Sequence, residues 1–424
     1  MIPTKATIPD LRAALSSGKL TPLDVVEAHL ERIRTLDRGI RGFVRVCEQG
    51  ARNAAKADVH GPLRGLPFGI KDVLETGDMP TEHGSAIFEG ARPRFDAAVV
   101  ATLRGAGAIA IGKTATAEFA GTAPPATTHP LDPARTPGGS SSGSAAAVAA
   151  GMAVFALGTQ TGGSVLRPAA FCGIAGFKPS YGLWPIAGML PAAHSFDTIG
   201  VVARSAGDAA IIHATMMRMP EIGLPDTLPH VALCRTHLWD TLSSQGASAI
   251  EAAFKLIEQA GARTSQASLP EEFSRLTEHR AIINAFERSG NMMGLAARKD
   301  KFRKESRSVY QRGLEISGEE YVASRRALEV ARASLDDVFG LAEILLAPVV
   351  PDVAPMGLNS TGDPRLQEIW SMLHCPTVTI PIGEGLGGLP LGLQLVARPF
   401  EDDLLLATAR QVEAFYPEAA RHLR

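Results

Sequence analysis

The pattern of apolar and polar positions changes along the chain, and each stretch predicts a different kind of element. Near the start, Thr21 and Pro22 form a helix-start signal, a capping hydroxyl followed by proline at the first helical position. Apolar residues then recur at the spacing of an amphipathic helix. Further on, strand-like and helical runs alternate, which predicts helices packed on a mostly parallel sheet. The strand-like runs are Pro67–Leu74, Ala108–Ile111 and Ala153–Leu157, and the helical runs are Ala97–Gly105 and Ser144–Met152.

The rest of the chain divides into a helical, charge-rich stretch and a second set of strand-like runs. Between 215 and 345 one strand-like run, Val231–Cys234, precedes mainly helical sequence. Ala342–Val350 and Pro376–Ile382 then look like further strands of the same sheet. No Ser/Gly linker or internal repeat separates these parts, so we predict one domain over 1–424. Its parts are an N-terminal helical region (1–60), a core (61–214), a helical insertion (215–345) and the C-terminal part of the core (346–424).

Composition and charge place the chain among globular proteins. Hydrophobic residues make up 45% and charged residues 20% of the sequence, enough to bury a large core. Lys plus Arg number 42 and Asp plus Glu number 44, so no whole-chain field attracts nucleic acid. The four cysteines lie far apart, which predicts free thiols in a reducing compartment. Because neither a secretory signal nor a run long enough to span a bilayer is visible, we expect a soluble cytoplasmic protein without membrane or nucleic-acid partners.

Two glycine-serine segments concentrate the candidate chemistry. Residues 136–144 read TPGGSSSGS and residues 158–168 read GTQTGGSVLRP. One interpretation is structural, since glycine and serine make tight turns and cap helices. The other is functional, because such turns expose hydroxyls and align backbone N–H groups towards a developing oxyanion. A serine nucleophile additionally needs a base that removes its proton.

Lys71 is the best candidate for that base. None of the eleven histidines has a recognisable triad context, and the GxSxG match at 139–143 lacks an accompanying HGGG-type segment. Lysine in an apolar strand must be paired or lose its charge. Acting as a base near neutral pH requires its pKa to fall by about 3 units from about 10.4. The residues alone leave this reading and a salt bridge with Asp72 both open.

Three other patterns are interpreted as structural. Residues 107–114 match the phosphate-loop pattern GxxxxGK[ST], but the intervening Ala-Ile-Ala-Ile predicts a strand and not a turn that presents N–H groups. Cys172 is expected to be a buried, inert thiol. The basic run at 298–307 is typical of a solvated helix face. We therefore expect no nucleotide binding and no thiol mechanism.

The glycine-serine segments and Lys71 resemble the signature of the amidase signature family, serine hydrolases with a Ser–cis-Ser–Lys triad. Lys71 stands in GIKD, Ser140 in PGGSSSGSAAAVAAG and Ser164 in GTQTGGSVLRPAAFCGIAGFKPSYG. Further matches span the chain, most weakly between 215 and 345: GAIAIGKTATAEFA (107–120), FDTIGVVARSAGDAA (196–210), LAPVVPDVAP (346–355) and GLPLGLQLVARPFED (388–402). The resemblance implies an α/β amidase-signature fold, a single large mixed, mostly parallel sheet with helices on both faces.

The resemblance also implies roles for these residues. Ser164 is expected to be the nucleophile, and Lys71 the base. Ser140, following a cis peptide bond from Gly139, is expected to relay protons between them. The oxyanion hole is expected to consist of the backbone N–H groups of Thr161, Gly162, Gly163 and Ser164. No metal or cofactor is implied, the partner is a small-molecule amide, and homodimers are common in the family.

Two positions depart from the common family pattern. Gln160 stands where many members carry Asp, and Arg167 lies three residues after Ser164 where many members place an Arg at plus two. This variant resembles malonamidase-type members, which act on small carboxylate-bearing amides. Arg167 is therefore a tentative substrate-binding residue, since guanidinium binds carboxylate bidentately. A structural pairing with a protein carboxylate is the alternative.

We expect an amidase that hydrolyses a linear carboxamide C–N bond to a carboxylate plus ammonia or an amine. The alternative is the A subunit of a glutamyl-tRNA(Gln) or aspartyl-tRNA(Asn) amidotransferase, which uses the same triad to free ammonia from glutamine for a partner. Such subunits look longer and usually carry the Asp that is absent at Gln160. A catalytically silent scaffold is a third hypothesis, disfavoured because all three triad residues are present. The specificity pocket is expected from 120–130 and from the insertion at 215–345.

Overall fold

The computed structural model describes residues 4–57 and 60–419. The ends of the predicted domain at 1–3 and 420–424, and residues 58–59, lie outside the described residues. The strands are β1 (Phe43–Val46), β2 (Pro67–Lys71), β3 (Ile109–Thr114), β4 (Phe155–Gln160), β5 (Ala175–Lys178), β6 (Thr198–Ala203), β7 (Val231–Cys234), β8 (Thr264–Ala267), β9 (Ile344–Pro348), β10 (Thr377–Glu384) and β11 (Pro390–Ala397).

The α-helices account for most of the remaining regular structure. They are α1 (Ile8–Ser16), α2 (Pro22–Ile40), α3 (Glu48–Lys56), α4 (Ala98–Gly105), α5 (Ser142–Ala149), α6 (Leu166–Cys172), α7 (Ala206–Met217), α8 (Ser244–Gln259), α9 (Leu276–Asn291), α10 (Lys304–Glu315), α11 (Gly318–Ala333), α12 (Leu335–Phe339), α13 (Arg365–Met372) and α14 (Asp402–Glu413). None of the helices in the described ranges combines the length and the apolar character needed to cross a membrane.

All described strands join one mixed sheet in the order β1-β3-β2-β4-β6-β5-β10-β11-β9-β7-β8. Parallel pairs occur in two blocks, β3-β2-β4 and β9-β7-β8. The remaining pairs, from β4 across to β9 and between β1 and β3, are antiparallel. The predicted α/β class with one large mixed sheet is confirmed, although parallel pairs do not predominate as expected. One reason is that β10 and β11 are joined by a short connection, which permits only an antiparallel pair.

Helices cover both faces of this sheet. Along β9, Ile344 and Leu346 belong to the main apolar core, to which α7 and α14 contribute. The alternate residues Leu345 and Ala347 belong to a second core, to which α11 and α13 contribute. Because successive side chains of a strand point to opposite faces, β9 is buried on both sides. The continuous apolar runs read from the sequence reflect this two-sided burial.

Most predicted elements are found within a few residues of their expected bounds. The helix after Thr21 is α2, and the Thr21 hydroxyl accepts the Asp24 N–H at 3.2 Å in a capping box. Five strands were missed: β5, β6 and β11, together with β1 in the predicted N-terminal helical region and β8 in the predicted helical insertion. β1 and β8 are short strands at the sheet edges with few buried side chains, so neither leaves an apolar run in the sequence.

The first prediction concerns the core around β9. Leu346→Ala removes a fully buried side chain and leaves a cavity, so it should lower the free energy of unfolding by about 2–5 kcal/mol. The matched control is Leu341→Ala, whose side chain is 81% exposed and whose loss should change little. Urea unfolding midpoints measure both. Equal midpoint shifts for the two variants would contradict the described register of β9.

Candidate active site

Lys71 and the second glycine-serine segment meet because β2 and β4 are parallel neighbours. Phe68 pairs with Phe155 and Ile70 with Leu157, so both strands end at the same edge of the sheet. Lys71 is the last residue of β2, and the 158–168 segment begins inside β4. The first glycine-serine segment leads into α5, which packs against β2 and β4. The sheet therefore brings together the residues that the sequence singled out.

The Lys71 side chain is fully buried, and its hydrogen bonds go to two hydroxyl oxygens and one carbonyl oxygen. Its Nζ lies 2.8 Å from Ser140 Oγ, 2.7 Å from Thr159 Oγ1 and 3.3 Å from the Thr159 carbonyl. Burial lowers the pKa of Lys71 well below its usual value, with the charge of Asp197 acting in the opposite direction. A neutral amine donates two hydrogen bonds and accepts one, so a neighbouring hydroxyl can pass its proton to Nζ.

The alternative salt bridge between Lys71 and Asp72 is not present. Asp72 instead lies 3.3 Å from Lys113 Nζ, which also donates to the Leu74 carbonyl and Thr81 Oγ1, both at 2.6 Å. Burial raises the pKa of Asp72 to about 6 and lowers that of Lys113 to about 8. Lys113 lies in β3, so the phosphate-loop match is a buried strand, as interpreted from the sequence.

Ser140 lies at a backbone turn that several groups hold in place. The Gly139–Ser140 peptide bond is cis, as predicted. The Gly139 carbonyl accepts a 2.6 Å hydrogen bond from Arg167 Nη2, and the Ser140 carbonyl accepts the Ala117 N–H at 3.1 Å. Ser142 Oγ donates to the Gly138 carbonyl at 2.7 Å. These contacts fix the chain on both sides of the hydroxyl that faces Lys71.

Residues 161–164, named here the oxyanion turn, follow β4 directly. Thr161 Oγ1 donates to Asp197 Oδ1 at 2.6 Å, and burial raises the pKa of Asp197. The Gly162 carbonyl accepts from Ser371 Oγ at 2.5 Å, and the Gly163 carbonyl accepts the Arg167 N–H at 3.0 Å. Within the described residues, the N–H groups of Gly162, Gly163 and Ser164 have no acceptor. They are free to receive an oxyanion.

A cavity of about 610 Å³, measured with its opening to solvent, lies beside the oxyanion turn and Ser164. Its walls come mainly from the 119–122 loop, α9, α10 and the start of α13. Phe119, Met292 and Val309 are among its apolar residues, and Arg280 and Glu368 form an ion pair across it. The expectation that the pocket draws on 120–130 and on the insertion agrees with this lining.

Arg288 shapes one wall of the cavity. Phe119 and Ala120 both have left-handed backbone angles, φ 53° and 54°, which are unfavourable for residues with a Cβ. Arg288 donates to their carbonyls at 2.9 and 3.2 Å and to Asn284 Oδ1 at 3.2 Å, so each of its nitrogens is used. Burial lowers the pKa of Arg288 to about 10. This arginine stabilises the loop, and every one of its nitrogens is already engaged within the protein.

Arg167 is buried between the cis peptide and the cavity. Its Nε donates to the Thr361 carbonyl at 2.7 Å and its Nη2 to Gly139, so part of its role is structural. Its partners are backbone carbonyls and the Thr361 hydroxyl, not the protein carboxylate that the alternative reading named. Nη1 is buried without a hydrogen-bond partner, and the residue lines the cavity. Burial lowers the pKa of Arg167 to about 10.

Sequence reasoning missed several residues of this site. Thr159 lies inside the quoted motif, and its position at the end of a strand beside Lys71 was the available signal. Arg280, Glu368 and Ser371 come from distant helices, α9 and α13, and no motif marks them. Two structural interpretations agree with the structure. Cys172 is buried and its thiol pKa is raised, and the charged residues of the 298–307 run are mostly exposed on a 3₁₀ segment and the start of α10. No group of metal-ligating side chains is found in the described part of the chain.

The fold and the site define a family. The chain belongs to the Amidase family, whose model matches residues 24–406. It is 33% identical to the A subunit of the glutamyl-tRNA(Gln) amidotransferase of Anaeromyxobacter dehalogenans, over 95% of this chain and 94% of that protein. A crystal structure of an amidase superposes with a TM-score of 0.88 at 29% identity, over 97% of this chain and 100% of the other. The crystal structure of the corresponding A subunit from Thermotoga maritima gives 0.81 at 28% identity, over 98% and 95%.

These comparisons confirm the family resemblance and correct one expectation. The chain is an enzyme that acts on carbon–nitrogen bonds. The expectation of a small-molecule amide as the only partner, without nucleic acid, is wrong, because the curated relatives are by name subunits of a tRNA-dependent enzyme. The expectation relied on the balanced charge of this chain, which does not exclude that a partner chain in an assembly binds the nucleic acid. The finer likeness to malonamidase-type members stays a prediction.

The second prediction tests the burial of the Lys71 amine. Between the lowered pKa of Lys71 in the folded state and about pH 10.4, the unfolded state holds a proton that the folded state has released, so stability rises with pH across this interval. Relative to Lys71→Met, the wild type should therefore be penalised most at low pH. The penalty should shrink by up to about 1.4 kcal/mol per pH unit above the folded pKa. Urea unfolding from pH 6 to 10 measures it.

Lys56→Met, at an exposed site, is the control for that series. A stability difference between wild type and Lys71→Met that does not change with pH would show that the buried amine keeps its proton.

Proposed function

We propose that the chain hydrolyses a linear carboxamide through an acyl-enzyme on Ser164. The observation that supports this most directly is the hydrogen bond between Lys71 Nζ and Ser140 Oγ, next to the N–H groups of Gly162, Gly163 and Ser164, which have no acceptor among the described residues. A lysine held neutral by burial can accept a proton near neutral pH. Membership of the Amidase family supports the same chemistry.

In the acylation step, Ser164 Oγ attacks the amide carbonyl and its proton passes to Ser140, whose own proton passes to Lys71. The carbonyl oxygen becomes negative and is received by the free N–H groups of the oxyanion turn. Collapse of the tetrahedral intermediate breaks the C–N bond, and the leaving nitrogen takes the proton back through Ser140. Water then attacks the ester, loses a proton to the same relay, and releases the carboxylate and Ser164.

The curated relatives favour glutamine as the amide, with the chain acting as the ammonia-releasing component of a tRNA-dependent amidotransferase. The alignment, at 33% identity, covers 95% of the chain, so it extends well beyond the segments that hold the triad. Glutamine carries a carboxylate, and the unpartnered Nη1 of Arg167 is a buried donor at the cavity. A charged donor without a partner is unfavourable, and a substrate carboxylate would satisfy it.

A stand-alone amidase is the second candidate. It is supported by the match to the crystal structure of an amidase, at a TM-score of 0.88 and over the full length of that chain. Gln160, in place of the Asp that many family members carry, also favours a stand-alone amidase. The two candidates share the triad chemistry and differ in the fate of the ammonia.

The third prediction addresses the nucleophile and the substrate together. Fluorophosphonate should label Ser164 alone, as mapped by peptide mass spectrometry, and Ser164→Ala should lose labelling and about 10⁴-fold or more of the ammonia release. Lys71→Ala should be nearly as severe. Ammonia release by the purified chain is measured with a panel of substrates: glutamine, asparagine, malonamate, and neutral aliphatic and aryl amides.

If ammonia release from glutamine increases when the other subunits of a related tRNA-dependent amidotransferase are added, the result supports the amidotransferase component. Full turnover of another amide by the chain alone supports the stand-alone amidase. A label on a residue other than Ser164, or activity of Ser164→Ala within tenfold of wild type, would refute the proposed mechanism.

The fourth prediction concerns substrate carboxylates. Arg167→Ala should reduce kcat/KM for carboxylate-bearing amides about 10- to 100-fold more than for neutral amides, since a hydrogen bond to a charged group contributes about 1.5–3 kcal/mol. Arg288→Ala is the matched control, because its nitrogens are all bonded within the protein. It should affect both substrate classes equally. An equal loss in Arg167→Ala would assign that arginine a structural role only.

A further inference from the structure

Helix α13 presents a polar face to the back of the oxyanion turn. Gln367, Glu368 and Ser371 lie within one turn of that helix and are all at most 2% exposed. A Cβ on Gly163 would come within 2.0 Å of Gln367 Oε1, and one on Gly162 within 3.1 Å of Glu368. The turn and this helix therefore approach each other closely at both glycines.

One hydrogen bond on this face sets the direction of a peptide plane. Ser371 Oγ donates to the Gly162 carbonyl at 2.5 Å. In a trans peptide the carbonyl and the following N–H point in opposite directions. Because the Gly162 carbonyl points to α13, the Gly163 N–H points away from α13. Ser371 thus fixes the aim of an N–H that has no acceptor among the described residues.

Gln160 orients the Ser371 hydroxyl. Gln160 Oε1 accepts the N–H groups of Val165 and Leu166 at 2.9 and 3.1 Å, so the other end of its amide is the NH₂ group. That group donates to Ser371 Oγ at 3.0 Å. The Ser371 oxygen is then an acceptor, and its single proton is directed to Gly162. An aspartate at position 160 would have no N–H to donate and would compete for that proton.

We infer that Ser371, oriented by Gln160, is a positioning residue that aims the Gly163 N–H at the oxyanion. This inference rests on the proposed function, because the aim matters only if Ser164 forms a tetrahedral intermediate. Ser371 is not among the residues that line the cavity, so we expect it to act through Gly162 and not on the substrate directly. Its loss should slow bond formation at Ser164 while leaving reversible binding unchanged.

The fifth prediction uses fluorophosphonate as the probe, since its reaction needs no known substrate. Ser164 Oγ bonds to phosphorus, fluoride leaves, the serine proton passes to Ser140 and Lys71, and the phosphoryl oxygen takes the oxyanion's place. Ser371→Ala should lower the maximal inactivation rate about 10- to 100-fold, below the loss for deleting an oxyanion donor, with the half-saturating concentration unchanged. Ser371→Cys, a near-isosteric weak donor, should be intermediate.

Ser324→Ala is the control, because this helical serine is also 2% exposed but lies on α11, with its hydroxyl on His279. It should label at the wild-type rate. Equal rates for wild type and Ser371→Ala, an equal loss in Ser324→Ala, or a change confined to the half-saturating concentration would overturn the inference. Should Ser371→Ala not fold, Ser371→Cys decides by the same criteria. A wild type that resists labelling refutes the proposed function itself, and with it this inference.

Discussion

The structure of the site depends on one unfavourable interaction, the burial of the Lys71 amine without a carboxylate partner. The adjacent carboxylate, Asp72, is held by Lys113, and Asp197 is bonded to Thr161 and to backbone N–H groups. What remains around Nζ is two hydroxyls and a carbonyl, a set that suits a neutral amine. Neutral lysine is a useful base, whereas lysine paired with a carboxylate is not. Because the nearby carboxylates are bound by other groups, the surroundings of Lys71 agree with its proposed role as a base.

The sheet places Lys71 next to the other residues of the site. Because β2 and β4 run in parallel, Lys71 and the oxyanion turn emerge at the same edge, and the first glycine-serine segment reaches them through α5. The sequence made this part predictable, since Lys71, Ser140 and Ser164 stand in long and specific motifs, and β2 and β4 are continuous apolar runs. The edge strands β1 and β8 could not be predicted in the same way, because their exposed polar side chains resemble those of loops.

The parts of the site that the sequence did not reveal come from elements far away in the chain. Ser371 and Glu368 stand in α13, a helix whose apolar spacing reads as ordinary core packing, and their relation to Gly162 exists only once the sheet has formed. Arg167 illustrates the same limit. Its place in the motif suggested a ligand or a salt bridge, while the structure gives it backbone carbonyls on one side and an unpartnered nitrogen on the other.

The triad residues and the residues of the cavity walls come from different parts of the chain, and this difference has a functional consequence. The triad and the oxyanion turn come from segments that match the family, whereas the walls of the cavity come largely from α9 and α10 in the stretch where the resemblance is weakest. Bond cleavage is thus assigned to the family-matching segments, whereas the cavity walls combine Arg167 of α6 with residues of α9 and α10. Substitutions in α9 and α10 can change which amide is admitted without moving Lys71, since that lysine stands at the end of β2 and its hydrogen bonds go to Ser140 and Thr159. A common ammonia-releasing chemistry can in this way serve either a free amidase or a component of a larger enzyme that passes its ammonia on.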